Sequence, residues 1–508
     1  MTAKICIILA ISVYLLGMLY VGWRSAKRSR NTDDFYLGGR KLGPLVTAMS
    51  AEASDMSSYL LMGLPGLAYL TGTADVGWTV LGLAIGTYLN WLIVARRIRC
   101  YTHLTGSITL PDFFSKRYHD QKNILCGIAA VIIIIFFIPY TASGFAACGK
   151  LFQSLFGVDY MAAMLVSAAV IVLYCAMGGF LAASTTDFIQ SVIMTIALLA
   201  ILLFGVHLAG GFGNVIENAR SLPGYLSMAL THDPVTGAAK SYGALSAVSM
   251  LAWGLGYFGM PHVLLRFMAI ENADKLKLSR RVASVWVVIA MGVAVFIGLV
   301  GNAATRAGNI GALEGSASET IIVRFADALS HHGVLAALLA GMVLAGILAS
   351  TMSTSDSQLL AASSSISQNL LQDFFGVKMS KKTTMILARL TVVLIALIGV
   401  FLARDPNSSV FGIVSFAWAG FGAAFGPVVL FALFWKRSNR YGALAGMLAG
   451  GAMVFVWKYL VRPLGGLWDI YELLPAFLVA SLCIVVVSLA TKAPDAAVTA
   501  EFDRAKTL

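Results

Sequence analysis

Runs of about twenty apolar residues recur from one end of the chain to the other, long enough for each to cross a bilayer as a helix. Thirteen can be counted, over roughly 4–23, 44–70, 77–95, 123–152, 160–179, 187–209, 244–268, 282–303, 334–370, 384–403, 409–435, 441–461 and 473–491. With 59% hydrophobic and only 12% charged residues, the 508-residue chain lies well outside the balance of soluble domains. The expectation is therefore an all-α polytopic membrane protein. Its first run is too long for a signal-peptide core and is followed by charge rather than a cleavage site, so it reads as a retained helix.

A net charge of +12 would suit nucleic acid only if the basic residues shared one solvated face, whereas here they fall in short segments between apolar runs. If the N-terminus lies outside, alternate segments on the inner side collect 27 of the 36 lysines and arginines, Arg40, Arg117 and Arg266 among them. That asymmetry predicts an outer N-terminus and a cytoplasmic C-terminus. The six cysteines form no CxxC pair, which points to neither a disulfide framework nor a metal site. No GxxxxGK[ST], G-x-S-x-G or H-E-x-x-H occurs, so ATP-driven transport and enzymatic chemistry are both disfavoured.

Two spans carry interruptions. The second contains Ser50-Ala-Glu-Ala-Ser-Asp-Met-Ser-Ser-Tyr59, and the seventh contains Trp253-Gly-Leu-Gly-Tyr-Phe-Gly-Met-Pro261. Gly and Pro free backbone carbonyls, which at membrane depth is tolerated only beside a cavity or an ion. The breaks stand five spans apart, so spans 2–6 and 7–11 read as corresponding halves, and an odd repeat length inverts the second half. Discontinuous helices at matching positions of inverted halves point to the binding site of a secondary transporter. The implied organisation is residues 1–43 as a first span and inner loop, 44–209 and 244–435 as the two repeats, and 210–243 as an outer loop. Residues 436–491 then form two further spans, with 492–508 as a cytoplasmic tail.

Carboxylates inside spans are costly and usually face a cavity or a cation. Glu52, Asp55, Asp187 at the mouth of span 6 and Asp356 in span 9 are the candidates, with half-helix capping as the plainer account of each. Span 9 also packs hydroxyls in Ser350-Thr-Met-Ser-Thr-Ser-Asp-Ser-Gln358. Such a run can serve only as helix-to-helix glue, but Ser353 and Thr354, facing freed carbonyls, would make a hard-oxygen shell suited to sodium. Soft and imidazole ligands are missing from this neighbourhood, which argues against zinc or copper. Tyr59, Tyr140, Trp253 and Tyr257 flank the breaks as pocket walls, and His262 is the one histidine near them.

In order and spacing, several stretches resemble the sodium/solute symporter family, and within it the proline carriers. They are Asp34-Phe-Tyr-Leu-Gly-Gly-Arg40, Ala53-Ser-Asp-Met-Ser57, Gly178-Gly-Phe-Leu-Ala182 with Asp187, Trp253 to Gly259 with Pro261-His262, Arg266-Phe-Met-Ala269, and Ser415 to Leu430. The resemblance covers nearly the whole chain. It implies a leucine-transporter-like core of two inverted five-helix repeats with broken helices 2 and 7. It also implies a sodium site of carbonyls from Ala53, Met56 and Ser350 with hydroxyls from Ser353 and Thr354. Substrate contacts would fall on Ser57, Tyr59, Tyr140, Trp253, Tyr257, Met260 and Pro261. Asp55, Asp187, Asp356, Ser357 and Glu52 would be possible second-cation or coupling residues, and Arg40 an inner gating residue. The chain departs from the family's proline carriers at Tyr59 (typically Trp), Met260 (commonly Gln), Glu52 (Gly or Gln) and Asp356 (a small residue).

The expectation drawn from this is a sodium-coupled symporter of the bacterial inner membrane that imports L-proline by alternating access. Its partners would be the solute, sodium and the bilayer, without nucleic acid or an obligatory protein. A carrier of the same family for another small amino acid or a sulfonate, coupled to sodium or protons, is the alternative; a channel or transporter-like sensor is remote.

Overall fold

A computed structural model describes residues 2–26 and 32–507. Apart from one short antiparallel hairpin, Leu230–His232 with Ala239–Ser241, regular structure among the described residues is helical. Ten of the helices are long and apolar enough to cross a membrane, or eleven if the pair Ala244–Gly259 and Pro261–Ala269, bent by 46°, is one span. The elements that build the site are α1 (Pro44–Asp55), α2 (Leu64–Thr71), α3 (Ala74–Leu89), α4 (Ile124–Phe156), α5 (Tyr160–Leu208), α6 (Pro261–Ala269), α7 (Val334–Ser364) and α8 (Val410–Phe434).

The polar stretch after Pro44 does not run as one helix. α1 ends at Asp55; Met56 leaves helical geometry at φ −75°, ψ 69°; a wide turn over Tyr59–Gly63 then leads into α2. The glycine-rich stretch is tightened into a 3₁₀ segment, Ala252–Gly259, which stops at the extended Met260. Pro261, whose missing N–H and fixed φ suit a first helical position, then starts α6.

The glycines there also allow close approach. A Cβ on Gly254 would stand 2.1 Å from the Gly82 carbonyl oxygen, one on Gly256 2.0 Å from the Trp418 indole nitrogen, and one on Gly259 2.3 Å from the Phe421 carbonyl oxygen.

Elsewhere the expected boundaries shift. The spans expected at 160–179 and 187–209 lie within α5 as two helices that meet at a break at Gly179 (φ 65°, ψ −178°), so the second begins before the expected 187. The polar residues between the expected spans do not break the helix, because Thr185 and Thr186 turn their hydroxyls back onto the carbonyls of Leu181, Ala182 and Ala183. Asp187 is thus buried in the middle of α5 rather than placed at a helix mouth. The span expected at 77–95 continues through a wide turn at Asn90–Val94 into a helix over Ala95–Leu104, so Arg96, Arg97 and Arg99 are helical. Arg117 and Arg266, assigned above to inner loops, are both fully buried.

Candidate functional site

The first interruption meets both the second and α7. Ser353 Oγ donates to the Ala53 carbonyl oxygen at 2.8 Å and lies 3.2 Å from that of Ser350, to which Thr354 Oγ1 also donates at 3.1 Å. Four of the five oxygens expected to form a cation shell are therefore gathered at the end of α1. Met56, the fifth, is buried beside them in the chain, at the residue where the helix stops. The set is all neutral hard oxygen, which fits a small alkali cation better than a transition metal.

Beside this nest stands Asp55. Its Oδ2 accepts from the Tyr257 hydroxyl at 2.5 Å, its backbone carbonyl accepts from Tyr140 at 3.4 Å, and its Oδ1 makes no hydrogen bond among the described residues. Ser57 caps the turn, accepting from the Tyr59 N–H at 3.2 Å. Tyr59 stacks on Trp253 at 5.8 Å between centroids and meets Phe411 at the same distance, while its hydroxyl has no hydrogen-bond partner among the described residues. Trp253 in turn stacks on Tyr471 at 5.0 Å, so an aromatic layer closes one side of the site. Met260 and Pro261 are buried at the break between the 3₁₀ segment and α6.

The other side is closed by backbone and charge. Leu42 and Ile270 form a parallel bridge, and Arg40 donates to the carbonyls of Met268 (2.6 Å), Ser107 (2.6 Å) and Thr102 (3.0 Å). Arg40 itself has a left-handed φ of 56°, a conformation held in place by those three contacts.

The remaining carboxylates separate into different environments. Glu52 Oε1 accepts from the Trp91 indole at 2.8 Å and Oε2 has no hydrogen-bond partner among the described residues. Asp187 Oδ2 accepts from Ser50 (2.7 Å) and from Arg266 (3.1 Å). Asp356 is met by the Ser357 hydroxyl at 3.1 Å, and its Oδ2 has no hydrogen-bond partner among the described residues. All of these side chains are buried.

Sequence reasoning missed Arg266, Ser50, Trp91 and Asn90, the last donating to the Tyr257 carbonyl at 3.0 Å. A lone arginine inside the apolar run Val263–Ile270 was the available signal for Arg266, since intramembrane cations rarely lack a partner. The same signal marks Lys150 in α4, which pairs with buried Glu319 at 2.7 Å.

Residues 35–450 match the sodium:solute symporter family. The chain belongs to that family. It is 40% identical over 489 residues to an osmoregulated proline transporter of Bacillus subtilis (strain 168), covering 96% of this chain and 95% of the relative. It is equally 40% identical over 499 residues to a sodium/proline symporter of Escherichia coli (strain K12), covering 97% and 95%. A solved sodium-coupled sialic acid symporter in a substrate-bound outward-open state superposes with a TM-score of 0.78 at 16% identity, over 96% of this chain and 99% of that one. A nucleobase-cation-symport-1 family transporter in a closed conformation superposes at 0.56 with 12% identity, over 93% and 99%. These are transporters of the leucine-transporter-like fold, and the chain is a transporter rather than an enzyme.

Proposed function

We propose that this carrier imports L-proline together with sodium by alternating access. The observation that carries the reading is the Ala53–Ser350–Ser353–Thr354 oxygen nest at the end of an interrupted helix, in a chain whose relatives include named sodium/proline symporters. Sodium would be held by the carbonyls of Ala53, Met56 and Ser350 and the hydroxyls of Ser353 and Thr354. Proline would lie among Ser57, Tyr59, Tyr140, Trp253, Tyr257, Met260 and Pro261, with Asp55 between the two ligands. The nest joins α1 to α7, so a bound cation draws the interrupted segment onto α7 and fixes Asp55 and Ser57. By linkage, substrate bound there tightens the cation by the same factor. One inward charge contributes about 2.3 kcal/mol per 100 mV of membrane potential, enough to accumulate a neutral zwitterion. Among these wall residues there is no arginine, so the substrate carboxylate would be held by hydroxyls and freed N–H groups near the breaks.

We read thirteen spans. The ten long helices and the bent pair account for eleven; the interrupted stretch Pro44–Thr71 and the half of α5 before Gly179 supply the other two. The repeats then run over 44–209 and 244–435, with the N-terminus outside and the C-terminus inside a bacterial inner membrane.

Uptake of labelled proline into proteoliposomes, with and without an inward sodium gradient and with other amino acids and sulfonates as competitors, tests the reading. Sodium-dependent accumulation displaced best by proline is expected. Uptake that ignores sodium, or a competitor effective at far lower concentration, would overturn it.

A further inference from the structure

Arg266 lies on α6, just past the interruption, and is 1% exposed. Its guanidinium has five N–H donors, of which four are used. Nε donates to Ser50 Oγ at 3.0 Å, Nη1 to the His262 carbonyl at 2.9 Å, and Nη2 to Asp187 Oδ2 at 3.1 Å and to Ser357 Oγ at 2.6 Å. The Phe180 ring covers it at 5.0 Å. Arg266 therefore ties together α1, α5, α6 and α7.

The atoms around this guanidinium are a carboxylate oxygen, two hydroxyls and a carbonyl, the donor set that a bare alkali cation also needs. Asp187 and Ser357 are two of the five residues that sequence reasoning offered for a second cation or coupling. We propose that Arg266 is a tethered cation filling that position, so that the carrier binds one sodium per substrate rather than two. The proposal rests on the sodium-symporter reading above. A second ion entering here would meet a positive charge already within hydrogen-bond distance of its ligands, in a buried site where charges interact strongly. The tether also reaches the proposed sodium nest: Ser357 Oγ lies 2.9 Å from the Ser353 carbonyl oxygen, and Ser353 Oγ donates to Ala53. A fixed charge thus supports the nest in every cycle, where a second ion would have to bind and leave. If the guanidinium is removed, Asp187, which keeps only its Ser50 contact on Oδ2, the Ser50 and Ser357 hydroxyls and the neighbouring Asp356 are left as an open oxygen cluster.

Equilibrium binding of radioactive sodium to the purified carrier, alongside charge moved per proline in proteoliposomes, tests this. Wild type should bind about one ion, Arg266→Gln about two with a steeper sodium dependence, and Arg266→Lys about one, because only removal of the fixed charge opens the position. Arg266→Gln combined with Asp187→Asn should return to about one, since the new ion loses its carboxylate. Two ions in wild type would overturn the proposal without any variant, as would an Arg266→Gln protein that still transports with an unchanged count. Should Arg266→Gln fail to fold, Asp187→Asn alone decides: an unchanged count supports the tether, whereas loss of sodium binding shows that Asp187 holds the transported ion and sinks it. Wild type that neither binds sodium nor responds to its gradient would instead remove the symporter reading itself.

Discussion

Ser353 Oγ donates a 2.8 Å hydrogen bond to the carbonyl oxygen of Ala53, joining positions 300 residues apart. That contact brings the interrupted end of α1 to α7, and the two atoms are proposed sodium ligands. Ser353→Ala removes one ligand and the inter-helix bond together. The sodium concentration for half-maximal proline uptake should rise at least tenfold, since about 1.4 kcal/mol of lost interaction is enough for that. Ser353→Thr, which keeps the hydroxyl, should fall between it and wild type. An unchanged sodium dependence in the alanine variant would show that the nest is packing only.

Tyr257→Phe isolates the role of one hydroxyl. Its 2.5 Å bond is the only hydrogen bond to the Asp55 carboxylate among the described residues, and the substitution keeps the ring. Leaving a buried acceptor unsatisfied costs about 1–3 kcal/mol. The thermal unfolding midpoint in detergent should therefore drop, and proline affinity should fall while the sodium nest, whose hydrogen bonds run between α1 and α7, stays intact. Sodium binding without proline, measured at equilibrium, should change less than twofold by the same argument.

These contacts show why some of the site was legible and some was not. Ser353 and Thr354 stood out because hydroxyls are conspicuous in an apolar run, and the break after Asp55 because an uncompensated polar segment cannot stay at membrane depth. Glycines 254, 256 and 259 were read as loosening a helix, yet each also lets another segment come within 2.3 Å of where a Cβ would be. That second role depends on Gly82, Trp418 and Phe421, which no local pattern connects to them. Arg266 was misplaced for a related reason: charge counting assigns every arginine to a loop, while the partner that makes burial tolerable, Asp187, lies 79 positions away. Residue type was readable, whereas pairing over such separations was not.

Lys150 and Glu319 form a buried pair that also holds the start of α8. Glu319 accepts from Lys150 at 2.7 Å, from Ser409 Oγ at 2.9 Å and from the backbone N–H groups of Val410 and Phe411 at 3.1 Å. A carboxylate at a helix N-terminus satisfies orphan donors as well as the cation. Glu319→Ala should lower stability by about 3–5 kcal/mol because it strands Lys150 in a dry environment. The double variant Lys150→Met, Glu319→Leu, which removes both charges, should recover much of that loss in denaturant or thermal unfolding. A double variant no better than the single one would show that the backbone contacts of Glu319, not its charge, hold this junction.

The packing of α3 against the 3₁₀ segment should be the least forgiving part of the site. Gly82, Gly86 and Gly254 interlock: added Cβ atoms would stand 2.4 Å from the Leu251 carbonyl oxygen, 2.3 Å from that of Gly254 and 2.1 Å from that of Gly82. Each obstacle is backbone, which cannot rotate away as a side chain would. Gly254→Ala therefore has to push Trp253 and Tyr257 out of register with Tyr59 and Asp55. Forced overpacking costs about 1–3 kcal/mol or more, so the variant should lose proline binding and unfold earlier. Gly243→Ala, on the same approach to the site but with nothing within 4 Å of its added methyl, should behave as wild type in both measurements. Equal effects from the two substitutions would mean that helix flexibility, rather than close approach, is what the glycines supply.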